Sequence, residues 1–322
     1  MIYLTNRNCY VNNNLLYFSY TASSYCVDLE TGNTAWKNRL PDIGKPDVNG
    51  GIDNTYFTSG SDYDIEDSDR IYTGSLLSAD VEQLFLIPDY TFLPKMVDSG
   101  RINYITCFKK EGASYMAFSI ENPYKEFSPS GWGLTELNLY NLTEKKYVYK
   151  KVAINPNRDT RAAVDIAYQA PDLFFQSSKY IHSYNAMTGE ENWRTYLGAA
   201  PLTSDLLLAD NRLFSACEDE NYLFCLDATS GSILWKIRNT GTCSPLSYLN
   251  GVVYFNGGGD GYLHAVEAAT GKLLWKIKSP DESINSNAFF NGSVNAVPGK
   301  NGSKGVVVAT SGLNAYAYEA IR

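Results

Sequence analysis

Four of the five tryptophans close the same ten-residue phrase: VDLETGNTAW at Trp36, YNAMTGEENW at Trp193, LDATSGSILW at Trp235 and VEAATGKLLW at Trp275. In each, an acid or amide (Asp28, Asn185, Asp227, Glu267) is followed four residues on by glycine (Gly32, Gly189, Gly231, Gly271) and eight residues on by the tryptophan. Self-similarity at a fixed frame means units that cannot bury their apolar faces alone and must stack to make a core. The residues before the acid alternate as a strand does, as in Tyr222-Leu223-Phe224-Cys225-Leu226-Asp227. The glycine supplies the positive φ of a hairpin turn, and the tryptophan begins the returning strand. Two residues before the acid stands a small residue (Cys26, Ser183, Cys225, Ala265), as expected where one sheet presses on its neighbour. A further apolar run lies upstream of each phrase, at Leu15-Leu16-Tyr17-Phe18, Asp172-Leu173-Phe174-Phe175, Arg212-Leu213-Phe214-Ser215 and Val252-Val253-Tyr254-Phe255. Each unit therefore reads as four short antiparallel strands, a to d.

Weaker copies extend the pattern. From Leu137 to Lys150, Asn141 stands for the acid, Lys145 for the glycine and Tyr149 for the tryptophan; a fainter unit runs from Ile71 to Leu86. At the C-terminus Ala315-Tyr316-Ala317-Tyr318-Glu319 repeats strand c and no strand d follows, whereas Met1-Ile2-Tyr3-Leu4-Thr5 offers a strand with an aromatic in the tryptophan's place. The first strand is expected to complete the last blade and close a ring. Placing strands d at Tyr3, Trp36, Leu86, Tyr149, Trp193, Trp235 and Trp275 counts seven units, with six or eight as the alternatives. The fold class is all-β: a seven-bladed β-propeller of four-stranded antiparallel blades in one domain, 1–322. Blades with insertions are expected over about 41–178 and regular repeats over about 179–322. The abundance of tyrosine, 25 against 4 methionines, suits pleated surfaces better than long helices.

The phrase best shown by Tyr262-Leu263-His264-Ala265-Val266-Glu267-Ala268-Ala269-Thr270-Gly271-Lys272-Leu273-Leu274-Trp275 resembles the PQQ-like propeller repeat of quinoprotein dehydrogenases and of the outer-membrane-assembly propeller lipoprotein. The resemblance is specific over 180–322 and around 24–40, and poor from 41 to 178. It implies the blade fold with tryptophans docked between blades. It does not imply the cofactor: the dehydrogenases are far longer and carry an adjacent cysteine pair over the quinone, and this chain has no Cys-Cys dipeptide. No functional residue is carried over from either branch, and no cofactor is expected.

The formal charge of −8 is uneven. Residues 51–100 hold Asp53, Asp62, Asp64, Glu66, Asp67, Asp69, Asp80, Glu82, Asp89 and Asp98 against Arg70 and Lys95. Such a field repels nucleic acid and anionic lipid and attracts a basic protein. The opening MIYLTNRNCYVNNN lacks a basic start followed by an apolar run, and no apolar stretch is long enough to span a bilayer, so a cytoplasmic protein, monomeric when free, is expected. The cysteines form no CxxC pair and are expected to be buried thiols.

Candidate chemistry is sparse. His182 and His264 both sit three residues before the acid of their unit, where other units place Tyr25, Phe224 and Tyr316, which makes them part of the repeat; zinc asks for four ligands. No GxSxG, HExxH, P-loop or dinucleotide fingerprint occurs, and Gly257-Gly258-Gly259-Asp260-Gly261 reads as the turn between strands b and c. No catalytic or cofactor-binding residue is assigned. Three segments remain. Asp62, Asp64, Glu66, Asp67 and Asp69 are dense in hard oxygen ligands, a weak calcium candidate and a stronger partner-binding one. The stretch 121–133 carries Tyr124, Phe127 and Trp132 among loop formers, either anchors of a binding surface or a cover for an irregular blade. Glu218, Asp219 and Glu220 make a smaller acidic turn. All three precede a strand c, so blade topology is expected to bring them to one rim.

The leading functional reading is a non-enzymatic propeller that captures a basic protein on this acidic and aromatic rim, with an immunity or inhibitor protein as one such role. The alternatives are a quinone- or calcium-dependent oxidoreductase and a structural assembly scaffold.

Overall fold

The computed structural model describes the chain outside residues 1–8, 21–22, 40–45, 61–69, 79–80, 87–100, 123–133, 155–161, 178, 199–205, 218–220, 239–243, 284–288, 301–302 and 322. Seven sheets follow one another, each a meander in chain order. The first holds β1 (Cys9–Asn12), β2 (Leu15–Tyr20), β3 (Ser23–Asp28) and β4 (Thr34–Arg39). The second holds β5 (Pro46–Ile52), β6 (Thr55–Gly60), β7 (Arg70–Ser75) and β8 (Val81–Leu86), and the third β9 (Arg101–Lys110), β10 (Ala113–Asn122), β11 (Leu134–Asn141) and β12 (Lys146–Ala153). The fourth holds β13 (Ala162–Gln169), β14 (Asp172–Ser177), β15 (Tyr180–Asn185) and β16 (Glu191–Tyr196), and the fifth β17 (Leu207–Ala209), β18 (Arg212–Cys217), β19 (Tyr222–Asp227) and β20 (Ile233–Arg238). The sixth holds β21 (Ser247–Leu249), β22 (Val252–Asn256), β23 (Tyr262–Glu267) and β24 (Leu273–Lys278). The seventh shows three strands, β25 (Phe290–Val297), β26 (Val306–Ser311) and β27 (Ala315–Glu319). One 3-10 turn, Pro280–Ser283, follows β24. This is the all-β, seven-bladed propeller expected from the repeats; the expected closing strand, Met1–Thr5, lies outside the described residues.

The chain divides into two compact units, one running up to Leu173 with Tyr184–Glu190, the other Phe174–Ser183 with the residues from Glu191 on. In the first unit β5 lies beside both β1 and β9, and β9 beside β13; in the second β21 lies beside β17 and β25. Consecutive sheets in each unit thus meet along their first strands, and the fourth strands stand farthest out.

Turn chemistry explains the meander. The first and second strands of a sheet join through two residues with positive φ, such as Asn13 and Asn14 (46° and 65°), Asp210 and Asn211 (47° and 56°) or Asn250 and Gly251 (48° and 81°). These are the residues that a type I′ hairpin demands. Between third and fourth strands the acid of the repeat organises the turn. Asp28 Oδ1 accepts the N–H groups of Glu30 and Thr31 at 3.0 and 2.8 Å, while its carbonyl accepts Gly32 N–H at 2.8 Å. Asn185 and Asp227 repeat both contacts, to Thr188 and Gly189 and to Ser230 and Gly231. In the third sheet Asn141 Oδ1 accepts Glu144 N–H at 2.9 Å, and Lys145 takes the left-handed place of the glycine at φ 53°.

Two expectations are corrected by the register. The tryptophan does not begin the returning strand but is its third residue, because the turn ends two residues earlier; it faces the small residue of strand c, as in Cys26↔Trp36, Cys225↔Trp235 and Ala265↔Trp275. Leu86 is not the second sheet's counterpart of tryptophan. It pairs with Arg70 at the far end of β8, and Glu82, opposite Thr73, stands in the indole's register. The spacing misled because that unit's turn has no repeat glycine to anchor it.

The apolar cores lie between sheets. Phe214, Leu223 and Cys225 of the fifth sheet pack with Val253, Phe255 and Val266 of the sixth, and Trp235 closes the cluster. Full burial of one such side chain contributes about 1.5–3 kcal/mol.

Candidate functional site

Of the residues singled out for binding, Asp62, Asp64, Glu66, Asp67, Asp69, Tyr124, Phe127, Trp132, Glu218, Asp219 and Glu220 all lie outside the described residues. The strands that frame them are described. Residues 61–69 span β6 to β7, closed by the Gly60↔Arg70 pair; 123–133 span β10 to β11, closed by Asn122↔Leu134; and 218–220 precede β19, closed by Cys217↔Tyr222. Each is the second-to-third connection of its sheet, the position assigned from the repeats. The first two belong to neighbouring sheets of one unit, whose bodies share a core of Phe57, Ile71, Ile102, Ile105, Met116, Phe118 and Ile120.

The root of the 123–133 connection is polar inside. Thr135, Glu136 and Asn138 of β11 are buried. Burial pushes the Glu136 carboxyl above its ordinary range, against the pull of Lys151. Asn138 Nδ2 donates to Glu136 O at 3.2 Å and its Oδ1 accepts Lys151 N–H at 3.0 Å, where Lys151 has φ 62°. This network fixes the bulges of β11 on β12, between Leu137 and Tyr140.

The histidines are packed as members of the repeat. His264 stacks on Phe255 with centroids 4.9 Å apart and contacts Asp260 through Nε2 at 3.0 Å; His182 stacks on Phe175 and contacts Glu191 through Nδ1 at 3.3 Å. Phe18 and Tyr25 stack likewise at 5.1 Å. The glycine run is a turn between β22 and β23, with Gly257 N–H donating to Tyr262 O and Gly261 N–H to Gly257 O. Among the described residues no group of three or more His, Cys, Asp or Glu side chains could hold a metal ion. No helix there is long and apolar enough to cross a membrane.

The aromatic docking is explicit. Trp36 Nε1 donates to Leu76 O at 2.8 Å, Tyr149 OH to Ala186 O at 3.2 Å and Trp235 Nε1 to Ala268 O at 3.0 Å, in each case the carbonyl just after strand c of the next sheet. A Cβ on Gly231 would lie 2.4 Å from Trp193 Cε3, and one on Gly271 2.9 Å from Trp235 Cε3. The glycine therefore serves twice, for its φ and for the indole above it. Beneath, the thiols of Cys26 and Cys225 approach the same carbonyls, of Leu76 and Ala268. Burial raises both above the ordinary thiol value, Cys225 to about 12, so both stay protonated at neutral pH.

Two features were missed in the sequence. A basic residue follows each repeat tryptophan, and it packs over an aromatic of strand c: Lys37 over Tyr25 (5.0 Å), Arg194 over Tyr180 (6.0 Å), Lys236 over Tyr222 (4.5 Å) and Lys276 over Tyr262 (4.4 Å). Its signal was the recurrent pair Trp-Lys or Trp-Arg. The second is Asp281, buried in the 3-10 turn, which accepts hydrogen bonds from Ser311 Oγ, Asn314 Nδ2 (2.9 Å) and Tyr316 OH (2.6 Å). These bonds, from Ser311 first, hold its carboxyl below the ordinary range. They tie the connection after β24 to the β26–β27 turn, a link between residues far apart in sequence that no local motif announces.

Residues 177–321 match the family model described as outer membrane protein assembly factor BamB, the stretch in which the repeats are regular. Among solved structures, BamB from Moraxella catarrhalis aligns at 13% identity over 99% of this chain and 84% of that one, with a TM-score of 0.59. A europium-containing methanol dehydrogenase aligns at 12% identity over 94% and 72%, with a TM-score of 0.63. A chain of the mitotic checkpoint complex aligns at 13% identity over 87% and 76%, with a TM-score of 0.56. At these identities the likeness is one of fold. No curated protein is significantly similar in sequence.

Proposed function

We propose that this chain, a β-propeller of the PQQ-like repeat family, is a non-catalytic scaffold that captures a protein with a basic surface. One observation carries the reading: two neighbouring sheets of one unit depart from the repeat at the same connection, one through acids at 61–69 and the other through aromatics at 123–133. An acidic segment beside aromatic anchors is the composition that steers and then holds a cationic partner. An immunity or inhibitor protein facing a basic toxin is one role that such a surface fits. Charge reversal of Asp62, Asp64, Asp67 and Asp69 to lysine should abolish partner capture in a pull-down and remove its salt dependence. Capture that survives the reversal overturns the reading. Capture should also survive chelation; dependence on calcium would instead turn these acids into a metal site.

The BamB family match over 177–321 favours a second reading, an assembly scaffold that engages its partner through the regular repeats. In that case substitutions on β20 and β24, such as Leu234→Glu and Leu273→Glu, would weaken capture while the acidic reversal would not.

A further inference from the structure

The third strand of a repeat is normally its most enclosed. Cys26, Ser183, Cys225 and Ala265, two residues before the acid, are each 0% exposed, and three of them are known to face an indole on the neighbouring strand. The burial of β19 and β23 extends through four consecutive residues of each strand. The seventh sheet breaks this rule. Its third strand, β27, keeps the repeat's pairing with the strand before it: Ala317 faces Val308 of β26 as Ala265 faces Tyr254 of β22. Yet Ala315, Ala317 and Glu319 are exposed, and among the described residues no strand pairs with the outer edge of β27. A strand edge with unmatched N–H and C=O groups, and with alanines where the indole would lie, is a template for one more strand.

We infer that β27 accepts the chain's own segment Met1–Thr5 as its fourth strand, with Tyr3 opposite Ala317. This assignment is independent of the acidic and aromatic connections. Eight residues precede β1, enough for a strand of the five or six that make a fourth strand elsewhere. Their order repeats that of the known fourth strands: Met1-Ile2-Tyr3 corresponds to Ile233-Leu234-Trp235 and Leu273-Leu274-Trp275, two apolar residues and then the aromatic. Ala317 has the small side chain that the aromatic needs beneath it. A phenol in this register also has a precedent within the fold, since Tyr149 fills the same place opposite Leu139 in the third sheet. No turn joins this strand to β27, so backbone pairing and the Tyr3 ring alone retain it.

Hydrogen exchange on the full chain and on a chain lacking residues 1–7 tests the assignment. The amides of β27 should exchange about a hundredfold faster in the shortened chain, while those of β19 and β23 keep their rates. Equal rates for β27 in the two chains would overturn it. If the shortened chain does not fold, Tyr3→Ala in the full chain makes the same comparison, and Tyr3→Trp should keep the slow exchange. Failure of Tyr3→Ala to speed exchange at β27 counts against the register. Protection that appears only in a dimer, judged by light scattering on dilution, would mean that a second copy supplies the strand, and it also overturns the assignment.

Discussion

The third and sixth sheets reach the same arrangement with different residues. In the sixth, Ala265 faces Trp275, Glu267 holds the turn and Gly271 lies where the indole of the preceding sheet presses. In the third, Leu139 faces Tyr149, Asn141 holds the turn and Lys145 takes the left-handed position. The docking bond survives: Tyr149 OH reaches a carbonyl of the next sheet at 3.2 Å, as Trp235 Nε1 does at 3.0 Å. The fourth strand of the second sheet contains no tryptophan, so no indole demands a bare backbone at Lys145. What the fold requires is thus an aromatic donor of the right reach and a turn with one positive φ. Everything between second and third strands is left open to divergence, and the third sheet uses that freedom, with β9 and β10 of ten residues each and the aromatic connection beyond.

Trp235→Ala should sharpen the contrast most, costing about 3–5 kcal/mol as the indole's contacts on Gly271 and the Val253–Phe255 cluster are lost; urea unfolding measures it. A loss below about 1 kcal/mol would mean that the indole is dispensable in the regular blades too. Gly271→Ala adds a methyl against Trp235 at positive φ and should cost about 2 kcal/mol. Tyr149→Phe removes one hydrogen bond and leaves the ring, for a loss of about 1 kcal/mol. The converse change, Lys145→Gly, should be neutral or stabilising by up to about 1 kcal/mol, since it relieves a side chain held at positive φ with no ring above it. The smallest effect at neutral pH is expected from Asp281→Asn, which separates the chains in acid. The native carboxyl is held low by its hydrogen bonds, so its contribution is complete above the ordinary aspartate value of about 3.9 and is lost as pH falls through the lowered one. The variant should lack that part of the acid decline in Tm.

Much of this was legible because the repeat couples turn chemistry to packing within one short phrase. Asp28, Gly32 and Trp36 signal a hairpin, a left-handed residue and a docking ring together, and Tyr149 could be placed by its distance from Asn141. The second sheet shows where legibility ends. With Ser75 in the acid's place, only the pairing Thr73↔Glu82 reveals which residue replaces the indole. Asp281 was invisible because its three donors come from the far side of another hairpin. The acidic and aromatic candidates follow no repeat, so composition pointed to them and strand topology now places their connections, but no periodicity dictates their side chains.

The basic residue after each tryptophan has a colloidal consequence. Fourth strands are the outermost of their sheets, the edges along which copies of a β-rich protein could zip together into larger aggregates. Lys37, Arg194, Lys236 and Lys276 put a cation on each such edge, anchored by an aromatic so that it stays there, and two copies approaching edge to edge meet like charge. The repeat that assembles one molecule thus also keeps it from assembling with its neighbours.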